Sequence, residues 1–191
     1  LRAIKFGSVG SFSCEHLDAI YTAELANGSG NLASRVAAMV GKYFDGSLPV
    51  ATDVGAAEEK VHQAVAASVA KANAAIDRLA IHEAMEAIDE CVGAVNGYLS
   101  DEEPWQVAKD ETKRERLATI LYTAAEALRV IAVLYAPVMP KTANALWKLL
   151  GAQAHLGDIA TQNINTAGEW GQLPAGATIT KGEALFPRID A

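Results

Sequence analysis

Three residues of this sequence carry side chains suited to gripping a ligand. Asn31 and Arg35 stand four positions apart in a helical pattern, so they share one face about one turn apart. Trp105 follows Pro104 in a polar stretch, where a large aromatic is poorly placed for a core. An asparagine amide both donates and accepts hydrogen bonds, and arginine adds a charged planar fork. Structural uses of the same residues stay open. Arg35 suits a surface or interhelical ion pair, and Trp105 suits a lid on the end of a bundle.

No catalytic constellation accompanies them. Nothing combines a nucleophile, a base and an oxyanion site. Gly28 and Gly30 lie inside a helical pattern and not after a strand, so they make no phosphate loop. No serine elbow is present, and the four histidines (His16, His62, His82, His155) are scattered. Glu59-x-x-His62 has the spacing of a di-iron bundle ligand pair, but such a site needs two copies, and the pair reads as an exposed helix face. Asp101, Glu102 and Glu103 read as solvated charges in a polar loop. Cys14 and Cys91 are far apart and read as small buried side chains. The expectation is a binding module with no catalytic residue, no metal and no cofactor of its own.

The elements that position the three residues follow from periodicity. Of 191 residues, 51% are hydrophobic and 20% charged, which marks a globular chain able to bury a core. Ser13 caps a first helix whose apolar positions run from Leu17 to Phe44 and stop at Asp45-Gly46. Gly28 and Gly30 within it predict a kink or a close backbone approach. A second helix runs from a cap at Asp53 to about Ile76, and a third carries Ile81, Ile88, Val92, Val95 and Leu99 on one stripe. A fourth starts near Lys113 and ends at Pro137. A fifth opens at Pro140 and stops at Gly151. From 152 the helical periodicity is gone. The fold class is therefore all-α: an antiparallel helical bundle over 13–151, a lead-in segment over 1–12, and an irregular tail over 152–191 that packs back. Leu185, Phe186 and Ile189 are expected to dock the tail on the bundle or on a part of the protein outside this chain.

Net charge is −7, with neither a basic excess nor an overall basic stripe. That argues against backbone-dominated binding to DNA or RNA, and any nucleic-acid contact must be local and read bases. Two cysteines and no secretory signal fit a reducing cytoplasm. No apolar run approaches the length that spans a membrane. The chain opens on Leu1-Arg2 without a methionine and reads as a fragment.

Several segments, in order, resemble the methionyl-tRNA synthetase family. Phe6-Gly7 through Gly10-Ser11-Phe12-Ser13 is similar to the stretch that follows its KMSKS domain. Ala23-Glu24-Leu25-Ala26-Asn27-Gly28-Ser29-Gly30-Asn31-Leu32-Ala33-Ser34-Arg35 resembles its first anticodon-domain helix, continued by Lys42-Tyr43-Phe44-Asp45-Gly46. Glu103-Pro104-Trp105-Gln106-Val107-Ala108-Lys109 resembles its Pro-Trp loop, Ala136-Pro137-Val138-Met139-Pro140 its next helix end, and Leu185-Phe186-Pro187-Arg188-Ile189 its closing segment. Two positions depart. Ser29 replaces a bulky aliphatic residue, which weakens local packing, and Gly97 replaces an arginine, so no role is carried onto Asn96 or Gly97.

The resemblance implies that Asn31, Arg35 and Trp105 bind the CAU anticodon of initiator and elongator methionine tRNA. It also implies a partner catalytic domain that activates methionine with ATP, and neither DNA nor membrane as partner. The chemistry agrees. An indole is a stacking face for an unstacked base, and splayed loop bases offer their Watson–Crick edges to asparagine and arginine. The HIGH and KMSKS motifs are absent from this chain; Ile81-His82-Glu83 is a helix face. The rivals are the matching domain of another class I synthetase, such as the cysteine or leucine enzyme, and a helical protein-interaction module without RNA. Asn31, Arg35 and Pro104-Trp105 argue against the first.

Overall fold

A computed structural model of the chain describes residues 4, 5 and 7–187. These form helices and no strand beyond one bridge between Ser47 and Thr178. The first helical run is unbroken from Cys14 to Phe44 but changes pitch: α1 (Cys14–Ile20), a π-helical stretch (Tyr21–Gly30), then α2 (Asn31–Phe44). Ser13 caps it, its Oγ accepting from the His16 amide at 3.1 Å. Of the kink or close approach expected at the glycines, Gly30 makes the close approach, at the end of the π-helical stretch. A Cβ there would stand 3.2 Å from Cδ2 of Phe186. Ser29 is buried, and its hydroxyl is held by the Leu25 carbonyl at 3.4 Å and by Tyr135. Burial pushes the Tyr135 phenol up to about 12. The run ends at Asp45 and Gly46, both left-handed.

α3 (Ala56–Asp77) and α4 (Ile81–Glu102) pair antiparallel across a three-residue turn. Their shared face is built from small side chains, with Val61, Val65, Ala72 and Ala75 against Ala84, Ile88, Cys91 and Val95. α3 starts at Gly55 and not Asp53, because the Glu58 carboxylate reaches back to the Gly55 amide at 2.7 Å. Asp53 instead donates its amide to the Thr119 hydroxyl oxygen, and its carbonyl accepts from the Arg116 guanidinium. Two of the three acids expected in a loop, Asp101 and Glu102, are the last turn of α4. Glu102 pairs with Arg116 at 2.6 Å, so it is not merely solvated. Arg116 also holds Glu58 at 2.8 Å, and the Tyr98 hydroxyl donates to the same oxygen. Burial alone would raise Glu58, but Arg116, Tyr98 and the Gly55 amide together hold it below its ordinary value.

α5 (Pro104–Val107) is one turn long, and a short 3-10 turn then leads into α6 (Arg114–Tyr135). α6 is the axis of the bundle, with 18 of its 22 residues buried. It contacts α2, α3, α4, α5 and α7. Each fully buried leucine or isoleucine on it contributes about 1.5–3 kcal/mol. Contrary to the sequence reading, Glu111–Tyr135 is long and apolar enough to cross a membrane, but 94% of that apolar window is buried inside the bundle. α7 (Pro140–Leu149) ends at Gly151, whose left-handed backbone passes so close to Thr178 that a Cβ would meet its carbonyl oxygen at 2.5 Å.

The tail is more ordered than its lost periodicity suggests. It contains α8 (Ala152–Leu156) and α9 (Ile164–Ala167), and Asp158 and Asn163 side chains accept from nearby amides. One carboxylate stitches it down. Glu126 is fully buried and accepts from the amides of Gly171, Gln172 and Leu173 at 3.0–3.1 Å. Arg129, also fully buried, pairs with Glu126 at 2.7 Å and donates to the Glu169 carbonyl at 2.8 Å. Further on, Leu48 exchanges hydrogen bonds with Gly176 and Ala177, and Thr180 bonds to Leu149. Phe186 is buried and Leu185 half-buried, whereas Ile189 lies outside the described residues. Cys91 is buried as expected, but Cys14 is exposed.

Candidate nucleic-acid interface

The first turns of α2 sort their side chains by depth. Leu32, Ala33 and Val36 have no exposed surface and fix the helix against the core. Asn31 is left exposed and Arg35 half-buried, on the face that their spacing placed together. Trp105 is delivered by a tight reversal. Glu103 is left-handed and ends α4, and its carbonyl accepts from the Gln106 and Val107 amides, starting α5. Pro104 suits the first helical position and is buried, so Trp105 projects half-buried beside α2.

The structure brings Arg35 and Trp105 together, with the guanidinium carbon 5.3 Å from the indole centre. That distance fits a cation–π contact worth about 0.5–1 kcal/mol when exposed. Among the described residues no carboxylate pairs with Arg35, so the ion-pair alternative has no partner. Asn31 faces a cavity of about 190 Å³ lined by Asn27, Ser34 and, across from the helix, Ala184, Leu185 and Phe186. The tail forms that far wall because Phe186 seats over Gly30 and meets Tyr21 edge-on at 6.2 Å. The Tyr21 hydroxyl anchors the Pro187 carbonyl at 2.7 Å. Asn27 and Ser34 were not singled out from sequence, although i, i+4, i+7 spacing puts Asn27, Asn31 and Ser34 on one helix face. Leu185 and Phe186 were expected to dock the tail, but nothing in the sequence placed them beside Asn31.

Cations over half-buried aromatics continue beyond Arg35, at the end of α2. Lys42 lies 5.1 Å from the Tyr43 ring centre, and Arg114 lies 4.7 Å from that of Phe44. The surface therefore offers an indole, two planar cations and several amide and hydroxyl groups, with no metal-ligand set among the described residues. Such groups suit flat polar ligands such as unstacked bases.

A family model described as the anticodon binding domain of methionyl tRNA ligase matches residues 48–191. This chain belongs to that family. The methionine–tRNA ligase of Streptomyces coelicolor is 55% identical over 193 aligned residues, which cover 100% of this chain and 36% of that protein. The enzyme of Caldanaerobacter subterraneus is 38% identical, again over 100% of this chain and 29% of its own length. In three dimensions the chain is similar to the apo methionyl-tRNA synthetase of Mycobacterium tuberculosis, with a TM-score of 0.90 at 31% identity, over 100% of this chain and 37% of that one. The anticodon-binding domain thus spans about a third of the length of these relatives. Trp105 falls within the matched family region, while Asn31 and Arg35 precede it and fall in the part covered by the longer alignments. The match sets aside the other class I synthetases and favours anticodon reading over an RNA-free interaction module.

Proposed function

We propose that this chain reads the CAU anticodon of methionine tRNA, initiator and elongator alike, on behalf of a cytoplasmic methionine–tRNA ligase. The ligase activates methionine with ATP and transfers it to the tRNA, using a catalytic part outside this chain; the chain itself contributes no cofactor site. In this reading residues 1–12 lead in from the catalytic part, 13–151 form the reading bundle and 152–191 return along it.

The observation that carries the proposal is the uncommitted trio. Asn31 is exposed, and Arg35, one turn on, covers the face of Trp105 and lacks an acidic partner among the described residues. Trp105 stacks a splayed base. The Asn31 carbonyl oxygen accepts from the exocyclic amino group of cytosine, whereas uracil presents another acceptor at that place. The wrong pyrimidine leaves polar groups unpaired, at about 1–3 kcal/mol per mismatch. Arg35 holds a neighbouring carbonyl or phosphate and does not by itself separate the two pyrimidines.

The test is aminoacylation of tRNAs bearing CAU or UAU by the complete polypeptide. Asn31→Ala lowers activity on CAU and narrows its advantage over UAU, and Arg35→Ala weakens both more evenly. An Asn31 variant with undiminished CAU preference removes Asn31 from base reading.

A further inference from the structure

The net charge of −7 conceals a partition. α4 carries six acidic residues and no lysine or arginine. α2 and α7 carry no acidic residue at all, and each holds two cations, Arg35 with Lys42 and Lys141 with Lys148. Lys141 and Lys148 are seven apart, so they lie on the same side of α7, about 10 Å apart along its axis. Both are exposed, as is Lys181 on the tail, and none of the three has an acidic partner among the described residues. Five other cations are held by acids: Lys71 by Glu90, Arg78 by Glu83, Lys113 by Asp110, Arg116 by Glu58 and Glu102, and Arg129 by Glu126. Exposed Lys60 and Lys109 have no acidic partner among the described residues but stand apart from α7 and the tail.

The α7 lysines line a groove of about 450 Å³ between α7 and the tail; Lys181 does not line it but stands exposed on the tail between two residues that do, Thr180 and Gly182. Thr142 and Thr180 add hydroxyls to it, and Glu183 is its single acid. Thr180 is fixed there by its amide bond to the Leu149 carbonyl at 2.9 Å. Ala184 and Leu185 line both this groove and the cavity that Asn31 faces. The tail is therefore a strap with the base-reading cavity on one side and the lysine groove on the other.

We propose that Lys141, Lys148 and Lys181 form a track for the sugar–phosphate backbone of the same RNA whose anticodon bases meet Asn31, Arg35 and Trp105. The proposal rests on the function given above and assigns the site where the RNA backbone is gripped. Lysines act here as point charges on phosphate, with the two threonine hydroxyls as further donors. Such contacts carry no sequence information. They hold the register in which the cavity beyond the strap receives a base.

The experiment is equilibrium binding of a methionine tRNA transcript to the complete polypeptide at salt concentrations from roughly 50 to 200 mM. It compares wild type with a Lys141→Ala, Lys148→Ala, Lys181→Ala variant, on CAU and UAU transcripts. Each lost phosphate contact lowers the slope of log affinity against log salt by about 0.7–0.9, so the triple variant loses about 2–3 from its slope. Affinity falls by the same factor on both anticodons, and a Lys→Arg triple restores the slope. Lys60→Ala, on α3, leaves the slope unchanged. An unchanged slope in the alanine triple, with CAU preference intact, overturns the track and leaves the base-reading function standing. If wild type shows no CAU preference yet the triple still loses its slope, the track stands and base reading falls.

Discussion

Arg129 and Arg35 carry the same guanidinium into opposite surroundings. Arg129 is fully buried, paired with Glu126 and bonded to the Glu169 carbonyl. Its partner Glu126 accepts three tail amides in addition. Arg35 is half-exposed, lies over one indole and has no carboxylate partner among the described residues. A buried charge survives only where its hydrogen-bonding capacity is met on the spot, so such a site binds parts of the chain to one another. A half-exposed guanidinium keeps donors in water at little cost, so they remain available to a ligand. The difference suits the α6 site to holding the tail and leaves the α2–α5 site open to the recognition proposed for it.

The comparison breaks most visibly at Glu126. Removing one partner of a buried ion pair costs about 3–5 kcal/mol, since the other charge is left in a dry interior. Glu126→Ala strands Arg129 and also removes the acceptor of the Gly171, Gln172 and Leu173 amides. Urea unfolding of this variant is expected to show a loss of that size, and hydrogen exchange at those three amides to accelerate. A loss below about 1 kcal/mol would mean that the tail is held by its apolar contacts and the Leu48 and Leu149 hydrogen bonds and not by the Glu126 clamp.

Trp105 gives the contrasting outcome. Trp105→Ala in the complete polypeptide is expected to lower tRNA aminoacylation by roughly 10–100-fold, the loss of one stack of about 1–3 kcal/mol. Methionine activation is expected to stay near wild type, because the proposed function places that chemistry outside this chain. If both activities fall together and the unfolding midpoint drops, Trp105 serves as a lid on the bundle and the division between the two arginine sites fails on the recognition side.

These two sites differed equally in how far the sequence revealed them. Asn31 and Arg35 shared a face by spacing alone, and the Pro104 step exposed Trp105, because both signals are local. Helix ends at Gly46, Gly151 and Pro140 were legible for the same reason, since a left-handed glycine or a missing amide acts within one turn. The Glu126 clamp was not legible. Its partners lie 45–47 residues away, and a lone glutamate in an apolar run gives no sign of which backbone it will hold. α8 and α9 were missed because helices of five and four residues complete too few turns to show a period. The charge partition was hidden for a simpler reason: net charge is a sum without positions. Acids concentrated on α4 and cations left free on α2 and α7 cancel in it.

The smallest expected effect falls where the tail meets the reading helix, at Gly30. Helix propensity alone favours Gly30→Ala by about 1 kcal/mol, because alanine loses less backbone entropy. Against that, the new Cβ would stand 3.2 Å from Cδ2 and 3.5 Å from Cβ of Phe186, and 3.0 Å from the Leu25 carbonyl oxygen. Phe186 cannot retreat freely, because Tyr21 meets its ring edge-on and holds the Pro187 carbonyl next to it. Overpacking a fitted contact costs about 1–3 kcal/mol, which matches or exceeds the propensity gain. The expected result is a global stability within about 1 kcal/mol of wild type, combined with faster hydrogen exchange at Leu185 and Phe186. Because the strap walls the cavity that Asn31 faces, the same variant narrows the CAU preference without changing methionine activation. A gain of the full propensity increment, with strap protection intact, would show that Gly30 is there for the winding of the π-helical stretch and not for the seat of Phe186.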